Sequence, residues 1–374
     1  MADATMVIDA DGHVSESAEI DWQAYLDDRL KPLAPQRRVD DDGMVSYVVE
    51  GRTTRSEGQG AGIKASLVTK GNKLSFRPGM TDPEARMTDM DLEGIDVAVL
   101  FGGRIGLGVS GLVDAELATG LARAYNDWLA GYCAAHPDRL KGVAAIALQD
   151  IDQAVRELHR AVDELGMVGV AIPTNFGGRN LDDPYFHPFY EAAQGLDVPV
   201  CVHIASYTTA TPNVQGACIE RFDKFFFTHS VLHPFEQMMA AASLLCEGVL
   251  ERFPTLRVAF MEAGAGWVPY WMHRLDEHYE RLRTSVGASR APSEFFRSEQ
   301  VFVSCEPDEP LLPAVLELVG EDRIVYASDY CHYDCSFPES AELIRRRSDL
   351  SDGAKSKVLG GNALKLFGPR LGMA

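Results

Sequence analysis

The sequence predicts an α/β protein whose fold is a (β/α)8 TIM barrel, with a hairpin and a long loop inserted after the first strand. Eight short apolar runs, rich in β-branched residues, alternate along the chain with longer segments of helical periodicity. The runs are apolar at consecutive positions, as is typical of strands buried on both faces of a parallel sheet. Polar residues end or follow several of the runs, at the edge where such barrels carry their active sites.

The predicted strands and helices follow one another in a regular order. The strands cover residues 6–10, 96–101, 140–148, 167–173, 198–204, 257–262, 301–305 and 324–327. Helical periodicity is visible in residues 113–136, 150–166, 233–254 and 309–320. Asp150 and Gly166 are expected to cap the second of these helices. An open doubly wound sheet is the alternative, but no G-x-G-x-x-G turn follows the first strand to favour a nucleotide-binding version.

Residues 31–82 do not fit the strand-helix repeat and are predicted to form an insertion in a single domain of residues 1–374. The sequence "VDDDGMVSYVVEGR" predicts a hairpin that turns at Asp42-Gly43, and the Gly-, Ser- and Lys-rich remainder predicts a long loop. A loop of this length is usually a lid, a binding loop or an interface arm. Residues 205–230 are expected to lie over the same end of the barrel.

The bulk composition excludes several classes of partner. A formal net charge of -20 argues against nucleic acid and against an anionic membrane surface. No apolar run is long enough to span a bilayer, and the N-terminus lacks the pattern of a signal peptide. The seven cysteines are scattered and odd in number, which predicts reduced thiols in a cytoplasmic protein.

The polar residues at the strand ends predict a metal site. If the barrel is correct, side chains that are far apart in sequence meet at one rim: Asp11, His13, Arg104, His203, Glu262, Asp329 and His332. Taken singly, each has an ordinary structural explanation, such as a core histidine or a helix cap. Together they would bury acids beside histidines, which is costly unless charge is compensated. A divalent cation supplies that compensation, and Asp9 is expected to be a supporting acid.

Several motifs resemble the amidohydrolase superfamily, in its amidohydrolase-related (amidohydrolase 2) branch. They are "DMDLEGIDVAVLF", "HPFEQM", "ERFPTLRVAFMEAGAGWVPYWMHRLDEHYE", "IVYASDYCHYD" and "VLGGNALKLFG". This branch includes aminocarboxymuconate-semialdehyde decarboxylase and the resorcylate decarboxylases. The resemblance covers nearly the whole chain and is weakest over residues 31–82.

The resemblance implies a set of metal ligands. The His-x-His pair of the family's first strand matches Asp11 and His13, so a carboxylate replaces the first imidazole. The fifth-strand histidine matches His203 and the eighth-strand aspartate matches Asp329. At the sixth strand, where the family often has a histidine, this chain has Glu262. Carboxylate ligands favour Mn, Fe or Mg relative to Zn, and one or two ions are expected, since Glu262 with His332 or His233 could bind a second.

The expected activity is that of a metal-dependent hydrolase or decarboxylase acting on a small carboxylate or amide. Glu262, Asp329, His332 and His233 are the candidate acid-base residues, and Arg104 is the candidate clamp for a substrate carboxylate. Two alternatives stay open: an Fe or Mn/Fe dinuclear oxygenase on the same scaffold, and an inactive partner subunit. A homo-oligomer or a complex with a related subunit is expected.

Overall fold

The fold was analysed in a computed structural model of the chain. The structure describes residues 6–15, 20–39, 45–55, 77–103, 105–204, 212–217, 221, 225–330, 332 and 334–372. Arg104, the predicted substrate clamp, lies outside these residues, as do residues 56–76 of the predicted long loop.

The described strands and helices alternate as predicted. The strands are β1 (Ile8–His13), β2 (Gln36–Val39), β3 (Val45–Val49), β4 (Arg52–Arg55), β5 (Val97–Phe101), β6 (Leu140–Ala145), β7 (Gly169–Ile172), β8 (Asn175–Phe176), β9 (Arg179–Asn180), β10 (Val200–Val202), β11 (Val258–Phe260), β12 (Val301–Cys305) and β13 (Ile324–Tyr326). The helices are α1 (Trp22–Tyr25), α2 (Pro83–Glu93), α3 (Ala115–Cys133), α4 (Ile151–Asp163), α5 (His187–Gly195), α6 (Phe225–Phe227), α7 (His233–Cys246), α8 (Val249–Arg252), α9 (Val268–Leu282), α10 (Pro292–Phe296), α11 (Leu312–Val319), α12 (Ser340–Arg345), α13 (Asp352–Ser356) and α14 (Asn362–Phe367).

Eight parallel strands form the central sheet, in the order β1-β5-β6-β7-β10-β11-β12-β13. Backbone hydrogen bonds from Asp329 N to Asp11 O (3.0 Å) and from His13 N to Tyr330 O (2.8 Å) join the first strand to the residues after the last. The sheet therefore closes into the predicted (β/α)8 barrel, and its closing seam runs through the predicted ligands.

Helix caps explain where the helices begin and end. The Asp150 carboxylate accepts N–H bonds from Asp152 and Gln153 at the start of α4, and Gly166 follows the helix with a φ of +71°. This is the predicted cap pair. None of the helices in the described ranges combines the length and the apolarity that crossing a bilayer requires.

The interior of the barrel is apolar and is closed at one end by the C-terminal helix. Ile8, Ala10 and Phe302 belong to the cluster that fills it, and Leu366 and Phe367 of α14 complete the same cluster. Asn362, at the start of α14, donates to Ile324 O at the first residue of β13. Helix α14 thus closes the barrel at the N-terminal end of the strands, which leaves the C-terminal end open for a functional site.

The insertion contains a pair of antiparallel strands as predicted and a third strand, whereas the predicted turn at Asp42-Gly43 lies outside the described residues. β2 pairs antiparallel with β3, and β3 pairs with β4. Glu50 accepts N–H bonds from Val113 and Asp114, so this small sheet is tied to the start of α3. The role of residues 31–82 as a lid or an interface arm stays a prediction.

Candidate metal centre

A β-bulge in β1 decides which of its acids face the barrel mouth. The pairing with β5 moves from Asp9↔Ala98 to Gly12↔Leu100, so β1 contains one extra residue relative to β5 over this stretch. Ala10 packs in the barrel interior, whereas Asp9 faces α2. Strict alternation would place Asp9 and Asp11 on one face; the bulge separates them and leaves Asp11 at the mouth.

The candidate ligands Asp11, His13 and His203 form one buried cluster. Their relative exposures are 1%, 0% and 1%, and one ligand atom from each lies within 4.8 Å of the others. Asp11 Oδ1 is 3.3 Å from His203 Nε2 and 3.6 Å from His13 Nε2. Asp329 Oδ1 lies 3.4 Å from His13 Nε2. The barrel therefore brings together residues from β1, the end of β10 and the end of β13.

The hydrogen bonds of the two histidines test whether this cluster fits a cation. Nδ1 of His13 faces Gly102 O at 3.3 Å, and Nδ1 of His203 faces Ile204 O at 2.9 Å. A carbonyl only accepts, so each Nδ1 is the donor, and in a neutral ring Nε2 then offers a lone pair. Those lone pairs point at carboxylate oxygens, and His13 Nε2 is buried without a hydrogen-bond partner in the described chain.

Such an arrangement is repulsive unless a proton or a metal ion lies between the groups. Burial alone would lower the pKa of His203, but the Asp11 carboxylate outweighs it and raises that pKa to about 9. Imidazoles held through Nδ1 by a backbone carbonyl, with Nε2 aimed at a shared centre, are characteristic of metal ligands. The residues present fit a divalent cation.

Two of the strand-end acids have a left-handed backbone. φ is +55° at Glu262 and +52° at Asp329, a region that residues other than glycine rarely adopt. Glu262 N donates to Ser304 Oγ (3.1 Å), and Asp329 N donates to Asp11 O, so neighbouring strands fix both residues. Strained conformations held in this way are concentrated at functional sites.

His332 pairs with Asp329 above the cluster. His332 Nδ1 lies 2.6 Å from Asp329 Oδ1, and the ring packs against His13 at an interplanar angle of 35°, with a centroid distance of 4.1 Å. Burial alone would raise the pKa of Asp329, but His332 and His13 lower it well below its ordinary value. Asp329 is therefore a carboxylate, and it can face a metal and hold a proton on His332 at once.

Glu262 and His233 complete the rim. Glu262 Oε2 is 3.5 Å from His203 Nδ1, and Oε1 is 3.7 Å from His332 Nδ1. Burial raises the pKa of Glu262 to about 8. Burial, followed by the nearby His229, lowers the pKa of His233 well below its ordinary value, so this imidazole is neutral.

A buried network behind β1 holds the ligands in place. Ser328 donates to Asp9 through its backbone N (2.9 Å) and its Oγ (2.6 Å). Arg86 of α2, 1% exposed, donates to His13 O (2.8 Å) and lies 3.9 Å from Asp9 Oδ2 and over the Tyr330 ring. Arg86 and Ser328 were not predicted, because the arginine in the "DPEARM" start of α2 gives no sign of its own that it points inward.

The mouth opens into an acidic cavity. Its described lining includes no lysine or arginine and has these acids: Asp11, Glu262, Glu306, Asp308, Asp329 and Asp334. Glu306, Asp308 and Asp334 were not predicted. Burial, with Asp334 next, raises the pKa of Glu306 to about 7.

Comparison with known proteins agrees with this architecture. The family model described as amidohydrolase matches residues 8–368. The chain is 29% identical over 294 residues to 2-amino-3-carboxymuconate-6-semialdehyde decarboxylase of Dictyostelium discoideum, covering 77% of each protein. It is 30% identical over 273 residues to gamma-resorcylate decarboxylase of Rhodococcus jostii, covering 69% of this chain and 80% of that one.

The fold is shared with a solved structure of 5-carboxyvanillate decarboxylase from Novosphingobium aromaticivorans, complexed with manganese and 4-hydroxy-3-methoxy-5-nitrobenzoic acid. The TM-score is 0.71 at 24% identity, covering 97% of this chain and 96% of that chain. The predicted family resemblance is confirmed, and so is the prediction of a hydrolase or decarboxylase of that family. The chain belongs to the amidohydrolase family.

Proposed function

We propose that the chain is a metal-dependent decarboxylase that removes the carboxyl group of a small aromatic or unsaturated acid as CO2. The observation that carries this proposal is the buried cluster of Asp11, His13 and His203, with Asp329 beside it. The two decarboxylase relatives, which cover at least two thirds of the chain, support the choice of reaction.

The cluster would hold one divalent ion through Asp11, His13, His203 and Asp329. Two carboxylates and two imidazoles form a harder ligand set than imidazoles alone, which favours Mn or Fe over Zn. The manganese in the 5-carboxyvanillate decarboxylase structure is consistent with this choice. When bound, such an ion supplies Lewis acidity that orients an acid's carboxylate and its neighbouring oxygen.

His332 is the proposed proton donor. Decarboxylation replaces a carbon–carboxylate bond by a carbon–hydrogen bond, so one proton must reach the carbon that loses CO2. The Asp329 carboxylate, 2.6 Å from His332 Nδ1, stabilises a protonated His332 ring. His233 is less suited to this step, because its lowered pKa leaves it without the extra proton.

Hydrolysis is the second candidate, in which Glu262 or Asp329 would accept a proton from an attacking water. Glu262 Oε2 lies 3.5 Å from His203 Nδ1, so this carboxyl group is close enough to the cluster for that role. Asp329 is ionised, but its Oδ1 already accepts a hydrogen bond from His332 Nδ1. The decarboxylase relatives favour decarboxylation over hydrolysis.

Turnover in D2O tests the proposal. Manganese-loaded protein is given hydroxybenzoic and carboxymuconic acids, and CO2 release is measured with NMR of the product. We expect CO2 release with deuterium at the carbon that carried the carboxylate, and its loss in His332→Asn. Cleavage of amides or esters without CO2 would favour the hydrolase, and oxygen consumption tied to turnover would favour the oxygenase. Manganese binding without any turnover would favour the inactive subunit.

We also propose that the protein acts in the cytoplasm as a homo-oligomer or with a related subunit, and as a single domain. Tyr270 and Leu282 of α9 are 59% and 53% exposed, which suits an interface. Light scattering on the purified protein tests this proposal; a monomer at micromolar concentration would contradict it. Arg104 as the carboxylate clamp stays a prediction, and Arg104→Ala should raise KM more than it lowers kcat.

A further inference from the structure

A buried glutamine of α7 binds the ends of two strands that carry predicted site residues. Gln237 is fully buried, and its Nε2 donates to Val202 O and to Met261 O, each at 2.8 Å. Val202 is the last residue of β10 and precedes His203, while Met261 follows β11 and precedes Glu262. One amide group therefore contacts the backbone directly before a proposed metal ligand and directly before the Glu262 carboxyl group.

The Gln237 amide replaces a backbone partner where β10 and β11 separate. The pairing of the two strands ends at Val202↔Phe260, and Met261 N still donates to Val202 O at 3.1 Å. In a continuing parallel ladder, Met261 O would accept the next available N–H of β10, that of residue 204. It accepts the Gln237 amide instead, so this side chain joins the two strand ends at the level where the site residues begin.

The orientation of the Gln237 amide follows from its two partners. A carbonyl oxygen only accepts hydrogen bonds, so the NH2 group faces both strands. Oε1 is then buried without a hydrogen-bond partner in the part of the chain that the structure describes. A buried acceptor that is left unpaired lowers stability, so this amide is an unfavourable way to fill space. What it supplies is a pair of N–H donors at the two strand ends.

Gln237 also docks the helix that carries His233. It follows His233 by four residues, so the two side chains lie on one face of α7, which a π-helical turn, Thr228–Leu232, precedes. One nitrogen or oxygen from each of His229, His233 and Glu262 lies within 4.8 Å of the other two. The bonds of Gln237 to the strand ends therefore hold this histidine pair beside Glu262.

The spacing of His203 and Glu262 depends on the same two strand ends. His203 Nδ1 lies 3.5 Å from Glu262 Oε2. Both side chains leave the backbone one residue beyond a carbonyl that Gln237 binds. A shift of either strand end would therefore change the distance between the imidazole and the carboxyl group, and it would move α7 relative to both.

We propose that Gln237 is a positioning residue, which sets the separation of His203 and Glu262 at the barrel mouth and holds His233 against them. It acts through the backbone of the residues that precede the site, and not by contact with substrate. The inference rests on the proposed function, in which His203 is a ligand of a divalent ion. Partners that orient metal ligands in this indirect way typically contribute about 10–100-fold to metal affinity.

Metal binding by Gln237→Met tests the proposal, because methionine keeps the size of the side chain and removes both N–H donors. Manganese affinity is measured by titration of chelator-stripped protein, and the visible absorption of cobalt-loaded protein reports the geometry around the ion. We expect manganese binding to weaken by about 10–100-fold and the cobalt spectrum to change. With a substrate that the wild type decarboxylates, kcat should fall by a larger factor than KM changes.

Gln300→Met is the matched control. Gln300 precedes β12 at the opposite end of the barrel, where its Nε2 donates to the backbone oxygens of Leu250, Phe253 and Leu256. The same substitution there removes buried amide donors away from the mouth. This variant should unfold at a lower urea concentration than the wild type but keep its manganese affinity and its cobalt spectrum.

Wild-type manganese affinity and an unchanged cobalt spectrum in Gln237→Met would overturn the proposal, and so would an equal loss of affinity in Gln300→Met. If Gln237→Met does not fold, Gln237→Glu takes its place, because a protonated carboxyl group offers one donor instead of two. A smaller loss of manganese affinity is then expected, and wild-type affinity would contradict the proposal.

Failure of this inference and failure of the proposed function give different results. Manganese binding without CO2 release would refute the decarboxylase alone, since the affinities of the variants can still be compared. CO2 release by the wild type, together with unchanged manganese affinity in Gln237→Met, would refute the role of Gln237 alone. A wild-type protein that binds no manganese would overturn both.

Discussion

The two sides of the barrel mouth hold their metal-binding groups in different ways. On one side is the seam, defined as Asp9, Asp11, His13, Ser328 and Asp329, where the first and last strands meet, together with His203 beside Asp11. On the other side is the histidine wall, defined as His229, His233 and Glu262. In the seam, backbone hydrogen bonds join Asp11 to Asp329, and buried Arg86 and Ser328 hold His13 and Asp9. The wall depends on a helical turn and one strand end.

This difference predicts the order in which the two sides of the mouth bind metal ions. Asp11 and His13 of the seam are at most 1% exposed and its Asp329 side chain is 24% exposed, whereas the side chains of Glu262 and His229 in the wall are 16% and 25% exposed. A preorganised, buried ligand set needs less ordering when it binds an ion than a partly exposed one. We therefore expect manganese to fill the seam first and the wall second.

The largest effect is expected from His203→Ala, which removes a ligand of the seam. The change should lower kcat/KM by about 1000-fold or more, because the charge stabilisation a metal provides amounts to several kcal/mol. Manganese content should fall below one ion per chain. Retention of both turnover and metal would mean that the seam is not the metal site.

Arg86→Gln removes a charged partner of the seam while leaving every proposed metal ligand in place. Breaking a buried ion pair by removing one partner costs about 3–5 kcal/mol of unfolding free energy. Manganese affinity should also fall by about 10–100-fold, because Arg86 holds the backbone of His13. Urea unfolding and a manganese titration measure the two effects.

Arg160→Gln is the matched control for Arg86→Gln. Arg160 pairs with Glu157 and Asp127 on α4 and α3, away from the mouth, and its side chain is 15% exposed. The control should lose stability while its manganese affinity stays unchanged. An equal loss of metal affinity in both variants would show that Arg86 acts through stability alone.

Glu93→Gln tests the protonation state of a carboxyl group buried behind the seam, through the pH dependence of the unfolding free energy. Burial raises the pKa of Glu93 from 4.5 to about 7. Between these values the unfolded chain releases the proton first, so wild-type stability falls as pH rises toward 7. The glutamine variant lacks this loss, and its gain over wild type should grow between pH 5 and pH 8 to about 3 kcal/mol at most.

The comparison for Glu93→Gln is Glu157→Gln, which removes the partner of Arg123 and Arg160. This variant should be less stable than wild type at both pH values. A pH-independent effect of Glu93→Gln, measured by urea unfolding at pH 5 and pH 8, would contradict the buried, protonated state of Glu93.

The smallest effect is expected from Glu50→Ala, because Glu50 belongs to neither the seam nor the wall. The carboxylate of Glu50 accepts N–H bonds from Val113 and Asp114, so its loss should cost about 1–3 kcal/mol. Manganese stoichiometry should remain that of the wild type. A changed metal content would mean that the inserted sheet contributes to the mouth.

The sequence reveals the seam more readily than the wall, for a physical reason. Asp11, His13, His203 and Asp329 stand at strand ends, and the parallel barrel brings strand ends together, so counting strands is enough to group them. The bulge in β1 depends on register with β5, which residues 6–13 alone do not determine. The predicted strand at 6–10 accordingly stops short of the observed Ile8–His13.

Other features could not be predicted because they depend on three-dimensional packing. Arg86 is an ordinary polar residue in the sequence of α2, and only the docking of that helix buries it against the Tyr330 ring. Glu262 is paired with His233 at the level of the sequence, but the approach of His229 to both depends on the π-turn and the end of β11. The predicted third strand also ends early, at Ala145 rather than residue 148.

Anomalous diffraction at the manganese edge, from crystals loaded with MnCl2, tests the central claim most directly. We predict a strong peak within bonding distance of Asp11, His13 and His203, and a weaker peak beside His229, His233 and Glu262. A difference in occupancy in that order would match the buried seam and the more exposed wall. Manganese found only at the wall, or at neither place in a protein that turns over substrate, would contradict the account.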